Sequence, residues 1–498
     1  MKKLFRDICA LICSAALVSA GIAPAIASAE PYEVYNYDRW GEAIPSQAGY
    51  IAERAVSGYD LGVGALSEPE DIFIGGDGTF YIADSGNNRI IAADAELSRS
   101  VRVYERFTMP DGSKTALSSP QGVYISADTG LMYIADNQNS RVLVCDLEGN
   151  VGLEITKPES GVFDQNKTFF PQKVLADKAG NIYVVLGNIT TGAAMFSPEG
   201  EFLGYYGANR VQPTSEIVSR YFTNLFTSDE KRSRRSRNVP TGITNFDADE
   251  DFIFTCTSSS SQTADTVKKL NAAGNNIFAN YDVTFGDYTP MYDTTQNKLL
   301  APAICDIDIA GDGNINCLDF TTGRIFQYDE DCNLLFITGT IAKQVGGFSQ
   351  VTAVESDEGH LYVADGQKNT VTVFAETDFG RAVHKATALH NAGYYEEALE
   401  PWRDVLKYDG NYRRAYIGVA SALLRKGEYK ESMRYAKLAD APKIYNKAFE
   451  GYRREFLKKH FTAIAAGIAA AAAALVLFGY KHRKKRKEGA HHDGPETR

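Results

Sequence analysis

The sequence predicts a mainly β chain: a six-bladed β-propeller of four-stranded antiparallel blades, then an α-helical hairpin region and one transmembrane helix. Three observations predict it. The phrase YIADSGNNRI (81–90) returns as YIADNQNSRV (133–142) and as LYVADGQKNTV (361–371). Six segments with one strand–turn–strand pattern can be laid over residues 50–376. From residue 379 the apolar period changes from two to 3.6, and an apolar run, 461–480, ends the helical part.

Taken in order, residues 1–29 read as a signal peptide. MKKLFR is basic, residues 8–26 are apolar and small, and Ala27-Ser28-Ala29 is an A-x-A cleavage pattern. Residues 30–377 form the propeller. Its units open at PEDIFIGGDG (69–78), PQGVYISADTG (120–130), PQKVLADKAG (171–180), PTGITNFDADED (240–251), PAICDIDIAGDG (302–313) and SQVTAVESDEG (349–359). Second strands follow as FYIAD, MYIAD, IYVVL, IFTCT, INCLD and LYVAD, then a third in every unit and a fourth in the first five. Four short strands per unit with turn signals between them is the pattern of radial repetition. Tyr81, Tyr133, Tyr183 and Tyr362 are suited to packing between blades. Asp84 and Arg89 face each other across a hairpin, and the offset recurs as Asp136/Arg141 and Asp319/Arg324. A pair repeated around a ring is a structural clamp. Three equivalent catalytic sites would be the other reading.

These phrases resemble those of the NHL-repeat family of β-propellers over roughly residues 50–376, with Leu186 and Thr257 standing where the first two units have Asp84 and Asp136. The sixth unit lacks a fourth strand, because DFGRAVHKA (378–386) is helical in pattern. ERAVSG (53–58) is therefore expected to pair with VTVFA (371–375) and close the ring, since an open blade leaves an unpaired edge. The resemblance implies the same device.

Residues 208–239 interrupt the third and fourth units with a predicted helical insertion carrying KRSRRSR (231–237). In 378–443, GYYEEALEPWRDVLKYDGN and GEYKESMRYAKLADAPK align at a 34-residue offset from Gly393 to Gly427, resembling a pair of tetratricopeptide hairpins. Residues 444–460 are a predicted juxtamembrane helix. The run 461–480, at 1.5 Å per residue, spans about 30 Å, the thickness of a hydrocarbon core. A buried Ala-rich helix is the alternative. KHRKKRK (481–487) begins a basic tail, 481–498, expected on the cytoplasmic side. Gly467-x-x-x-Ala471 has the spacing for close helix contact. Together these features predict a single-pass cell-membrane protein with residues 30–460 outside.

The whole chain has a formal net charge of −11. Residues 30–460 carry 42 Lys+Arg against 59 Asp+Glu, a net of about −17 that argues against nucleic acid as a partner. Five cysteines follow the signal segment, Cys145, Cys256, Cys305, Cys317 and Cys332, none in C-x-x-C spacing. Their pairing stays open, with small buried apolar residues as the default. His360 is the one histidine in the propeller, so a three-His zinc site or a Ser-His-Asp triad has no basis in the sequence. DIDIAGDGNINC (306–317) imitates a calcium loop, but Ala310 and Cys317 occupy the fifth and twelfth positions, and it reads as a β-turn.

The remaining candidate is a ring at the channel mouth, where propellers bind ligands: Glu70, Gln121, Gln172, Thr241 and Gln350, with Ala303 as the apolar member. It would hydrogen-bond a sugar or peptide group, or its amides would cap loop backbone. Gluconolactonase-type propellers, which the fold distantly resembles, hold a divalent metal there. Here Glu70 and Asp71 are the nearby acids, so calcium or another divalent ion is not supported and no catalytic residue or cofactor is assigned. The expected function is a membrane-tethered extracellular binding or scaffold protein. Its partner would be a membrane-associated protein, with a carbohydrate or peptide ligand as a further option. The alternative is a metal-dependent propeller hydrolase.

Overall fold

The computed structural model describes residues 32, 34–208, 242–258, 266–280, 283–288, 291–293 and 298–489. The predicted signal peptide, nearly all of the predicted insertion, its basic stretch 231–237 and Thr241 lie outside the described residues. Two compact units divide the chain, Met1–Arg381 and Ala382–Arg498.

The first unit is the propeller. Each blade is an antiparallel meander in chain order. Blade 1 runs Pro69–Ile74, Phe80–Asp84, Arg89–Ala93 and Ser100–Tyr104. Blade 2 runs Pro120–Ile125, Met132–Asp136, Arg141–Cys145 and Val151–Ile155, and blade 3 Pro171–Ala176, Ile182–Leu186, Ala193–Phe196 and Phe202–Tyr206. Blade 5 runs Ile304–Ile309, Ile315–Asp319, Arg324–Tyr328 and Leu334–Thr338. Blade 4 departs from the expected four strands. Its described residues form three, Asn245–Ala248, Ile253–Cys256 and Val267–Leu270, followed by a 3-10 turn at Ile277–Asn280. Blade 6 contributes Val351–Asp357, His360–Asp365 and Thr370–Glu376 from its own stretch. Its fourth strand is Tyr50–Ser57, antiparallel to Thr370–Glu376 with Val56 opposite Val371, which closes the ring.

The core lies between blades, which explains why the second strands are apolar on both faces. Alternate residues of a strand point to opposite faces. Phe80 and Ile82 pack with Val371 and Tyr362 of blade 6, while Tyr81 and Ala83 pack with Val123 and Ile134 of blade 2. Tyr133 and Tyr183 likewise sit in the clusters toward blades 3 and 4. Phe80 meets Tyr362 edge-on at 4.6 Å between centroids.

The repeated phrase acts as a clamp within blades 1 and 2. Asp84 and Arg89 are cross-strand partners with Nε 2.7 Å from Oδ2, and Asp136 and Arg141 repeat this at 2.8 Å. Each aspartate also accepts the backbone N–H that leads into its own first strand, from Ser67 and Ser118 respectively, both at 2.7 Å. Asn87 and Asn139 donate to the same carboxylates. The third pair differs. Asp319 and Arg324 share the register, but Arg324 turns to Asp287, which also accepts the hydroxyls of Tyr35 and Tyr37 from the N-terminal hairpin. Thr322 Oγ1, at 2.6 Å, and the N–H of Ala303, at 2.7 Å, satisfy Asp319 instead. Asp287, held by the N-terminal tyrosines, has captured the arginine, which the repeat spacing alone does not reveal.

The second unit is helical: α1 (Asp378–Asn391, begun in the first unit), α2 (Leu399–Tyr408), α3 (Arg413–Arg425), α4 (Tyr429–Leu438) and α5 (Pro442–Gly489). Gly393 and Gly427 both take positive φ, +83° and +78°, at the turns that end α1 and α3, which is what the 34-residue offset requires of glycine. Trp402 of α2 is fully buried, and Gly418 of α3 lets the helices approach across its indole ring. The segments 444–460, 461–480 and 481–489 are one continuous 48-residue helix, α5. Its part 461–480 is uncovered, with Phe461, Ile468, Leu475 and Phe478 all exposed, and it is long and apolar enough to cross a membrane.

Candidate functional site

The first strand of each blade is the innermost, so its free edge faces the channel with unpaired backbone groups. In five blades the register between first and second strands skips one residue. The skips fall between Pro69/Asp71, Pro120/Gly122, Pro171/Lys173, Ile304/Asp306 and Val351/Ala353. The skipped positions are β-bulges, which re-aim side chains.

This corrects the predicted ring. Glu70, Gln121 and Gln172 share the bulge position, but the equivalent residues in blades 5 and 6 are Cys305 and Thr352. Ala303 and Gln350 lie two residues earlier, before the strand begins. There the N–H of Ala303 bonds Asp319, and the carbonyl of Gln350 accepts from Gly366 at 2.9 Å. Counting from the proline or small residue hides this offset. The bridge to the second-strand aspartate sets it, with Ile304 opposite Asp319 and Val351 opposite Asp365. Gln121 Oε1 accepts from Asn137 Nδ2 at 3.1 Å, and burial pushes the Glu70 carboxyl up. His360 opens the second strand of blade 6, partly exposed.

The structure instead gathers charge one step deeper. A pocket in the channel is lined by Asp71, Lys173, Asn245, Asp247, Asp306 and Glu355 together with apolar neighbours. Each charged member follows a bulge by one or three residues, or sits at the matching place in blade 4. Lys173 of blade 3 donates to Asp71 of blade 1, and its Nζ is 3.4 Å from the Glu70 carbonyl. Asp71 accepts the N–H of Val123 in blade 2 at 2.9 Å. Asp247 accepts that of Ile309 in blade 5, and Asp306 that of Val354 in blade 6, both at 2.7 Å. Asn245 donates its amide to Asp306. Asp308 accepts from Ser356 Oγ at 2.6 Å and Asn316 Nδ2 at 2.7 Å.

Desolvation in this pocket disfavours carboxylates. Burial, with Asp308 beside it, pushes Asp247 up to about 8. Asp306 rises by burial to about 7 in spite of Lys173, and Asp308 by burial to about 6. Burial raises Asp71 also. Glu355 rises well above the carboxylate range through burial, then through Asp308, Asp247, Asp306 and Asp71. Burial opposes the charge on Lys173, but Asp71 and Asp306 outweigh it and hold the ammonium above the usual lysine range.

The sequence reading missed Lys173, Asp247 and Glu355, and placed Asp306 and Asp308 in a failed calcium loop. The available signal was a charged residue at the same depth in several first strands. Most of these acids are turned onto backbone N–H or amide donors, and among the described residues no three His, Cys, Asp or Glu side chains converge to hold a metal. The five cysteines are free thiols, four of them buried and Cys305 partly so.

No family model matches the chain, and no curated protein matches it in sequence. Among solved structures it is similar to a selenomethionine-substituted virginiamycin B lyase from Staphylococcus aureus at 9% identity, covering 66% of this chain and 100% of that one, with a TM-score of 0.40. A streptogramin B lyase is similar at 10% identity, 69% and 87% coverage and a TM-score of 0.37. Hydrazine synthase of Kuenenia stuttgartiensis is similar at 13% identity, 63% and 96% coverage and a TM-score of 0.36. Similarity at that level says nothing of activity.

Proposed function

We propose that the chain is a membrane-anchored binding or scaffold protein whose propeller, of the NHL type, recognises a partner at the mouth of its channel. The helical pairs, read as tetratricopeptide-like, link it to the anchor, with residues 30–460 outside the cytoplasm and the tail inside. The observation that carries this reading is α5. Its segment 461–480 leaves large apolar side chains in contact with solvent and ends in KHRKKRK. Such a surface is unfavourable in water and suits a bilayer with its basic flank in the cytoplasm. The geometry favours binding over metal-dependent hydrolysis because three of the channel acids, Asp71, Asp247 and Asp306, are occupied in holding neighbouring blades.

Fractionation tests the anchor. The full-length chain should stay with membranes through an alkaline carbonate wash, and a chain lacking 461–480 should not. In intact cells, protease added outside should reach the propeller. Recovery of the full-length chain in the soluble fraction after the wash would overturn the proposal.

A further inference from the structure

Four cations crowd α5 just before its apolar run: Arg453, Arg454, Lys458 and Lys459, with Glu455 the one acid among them. Every residue from 453 to 460 is exposed. Arg454 reaches Glu450 at 3.1 Å, an exposed pair of small worth. Arg453, Lys458 and Lys459 meet no carboxylate among the described residues. With residues 30–460 outside, this charge lies on the translocated side of the span, where Lys and Arg are normally the scarcer residues. Orientation in the membrane therefore does not account for it.

We infer that this basic collar, 453–459, binds the headgroups of anionic phospholipids in the leaflet on the propeller's side. Three features point to lipid. The first is depth. Lys481, which begins the second basic stretch, lies 22 residues beyond Lys459, about 33 Å of helix against a hydrocarbon core of about 30 Å. The two ammonium groups thus bracket the apolar part and stand level with the phosphates on either side. The second is arrangement. At 3.6 residues per turn the four cations fall at about 0°, 100°, 140° and 240° around the axis, so they face every direction. A protein partner covers one side of a helix, whereas lipids surround it. The third is composition. Phe456 and Leu457 alternate with the cations and Phe461 follows them, all three exposed. Such side chains dip into the acyl boundary while Lys and Arg extend their heads to the phosphates.

The collar also reverses the sign of the ectodomain, about −17 over residues 30–460, at the place where the chain enters the bilayer. An acidic protein is otherwise repelled by an anionic membrane surface. The inference rests on the reading of 461–480 as a membrane anchor.

Spin-label spectroscopy on the full-length chain in phosphatidylcholine vesicles at 0.15 M salt tests it. The share of propeller open to added protease gives the share of chains with the collar in the outer leaflet, and labelled phosphatidylglycerol or phosphatidylcholine is added to that leaflet. Phosphatidylglycerol should be held at the protein about fivefold more than phosphatidylcholine, the worth of about one cation at an anionic headgroup. Arg453→Gln/Lys458→Gln/Lys459→Gln should bring that ratio close to one, and Lys458→Arg/Lys459→Arg should keep it. Flotation of the vesicles after an alkaline carbonate wash reads the anchor separately. Loss of the wild-type chain from the floated vesicles overturns the anchor and the inference with it. Retention with equal holding of the two lipids, or an unchanged ratio in the glutamine variant, overturns the lipid inference alone and leaves the collar to an acidic protein face.

Discussion

Asp247→Asn should make the propeller's stability less sensitive to pH. Asp247 has its carboxyl pushed from 3.8 to about 8 by burial and by Asp308. At about 1.4 kcal/mol per pKa unit, that shift sets an upper bound near 6 kcal/mol. Partial exposure and relaxation reduce it by a factor of two to three, to about 2 kcal/mol. The sign follows from which state holds the proton. A carboxyl raised in the folded state keeps a proton that the unfolded chain releases. Its contribution is present below pH 3.8 and is lost as pH rises toward about 8. Asparagine cannot ionise, so it removes this loss. It keeps one acceptor for the N–H of Ile309 but turns an amide toward the N–H of Ala248, which costs about 1 kcal/mol at every pH. The informative quantity is the difference between pH values. Relative to wild type, the variant should gain about 2 kcal/mol more at pH 8 than at pH 4.5, a few degrees in the unfolding midpoint. Scanning calorimetry of the solubilised chain at both pH values measures it. An equal effect at the two pH values would refute the reasoning.

Further substitutions test the scaffold. Asp84→Ala leaves Arg89 and the N–H of Ser67 without their acceptor inside blade 1, and should destabilise the propeller by about 3–5 kcal/mol in denaturant titration. Arg324→Ala should cost less than Arg89→Ala if Thr322 and Ala303 suffice for Asp319. Gly418→Ala would place a Cβ 2.3 Å from Trp402 Nε1, so α2 and α3 must separate, at about 1–3 kcal/mol. Tryptophan emission should shift to the red as the buried indole gains water.

Much of the architecture was legible because repeats average out local ambiguity. Six strand–turn–strand phrases fix the blade count where a single apolar strand would not, and the missing fourth strand of blade 6 points to residues 53–58, which overlap the observed closing strand Tyr50–Ser57. The helical turns were legible from two glycines 34 residues apart that share a positive φ. The channel was less legible, because a bulge shifts register by one residue without marking the sequence. Proline or a small residue aligns the openings of all six units. In blades 5 and 6, however, that landmark sits two residues farther from the bulge than in blades 1 to 3. Gln350 was thereby placed in a ring it does not join, while Glu355 was not singled out within SQVTAVESDEG.

The buried acids nonetheless have a structural purpose that limits what their number can mean. An innermost strand has one edge without a partner, and its N–H groups need acceptors. Asp71 reaches from blade 1 to Val123 of blade 2, Asp247 from blade 4 to Ile309 of blade 5, and Asp306 from blade 5 to Val354 of blade 6. Elsewhere neutral side chains carry the bridge, as Thr352 of blade 6 does to the Pro69 carbonyl of blade 1 and Asn137 of blade 2 to the Pro171 carbonyl of blade 3. Acidity in the channel is thus largely explained by joining one blade to the next, and removing those aspartates would weaken the ring whether or not anything binds. Among the described residues Glu355 makes no such bridge.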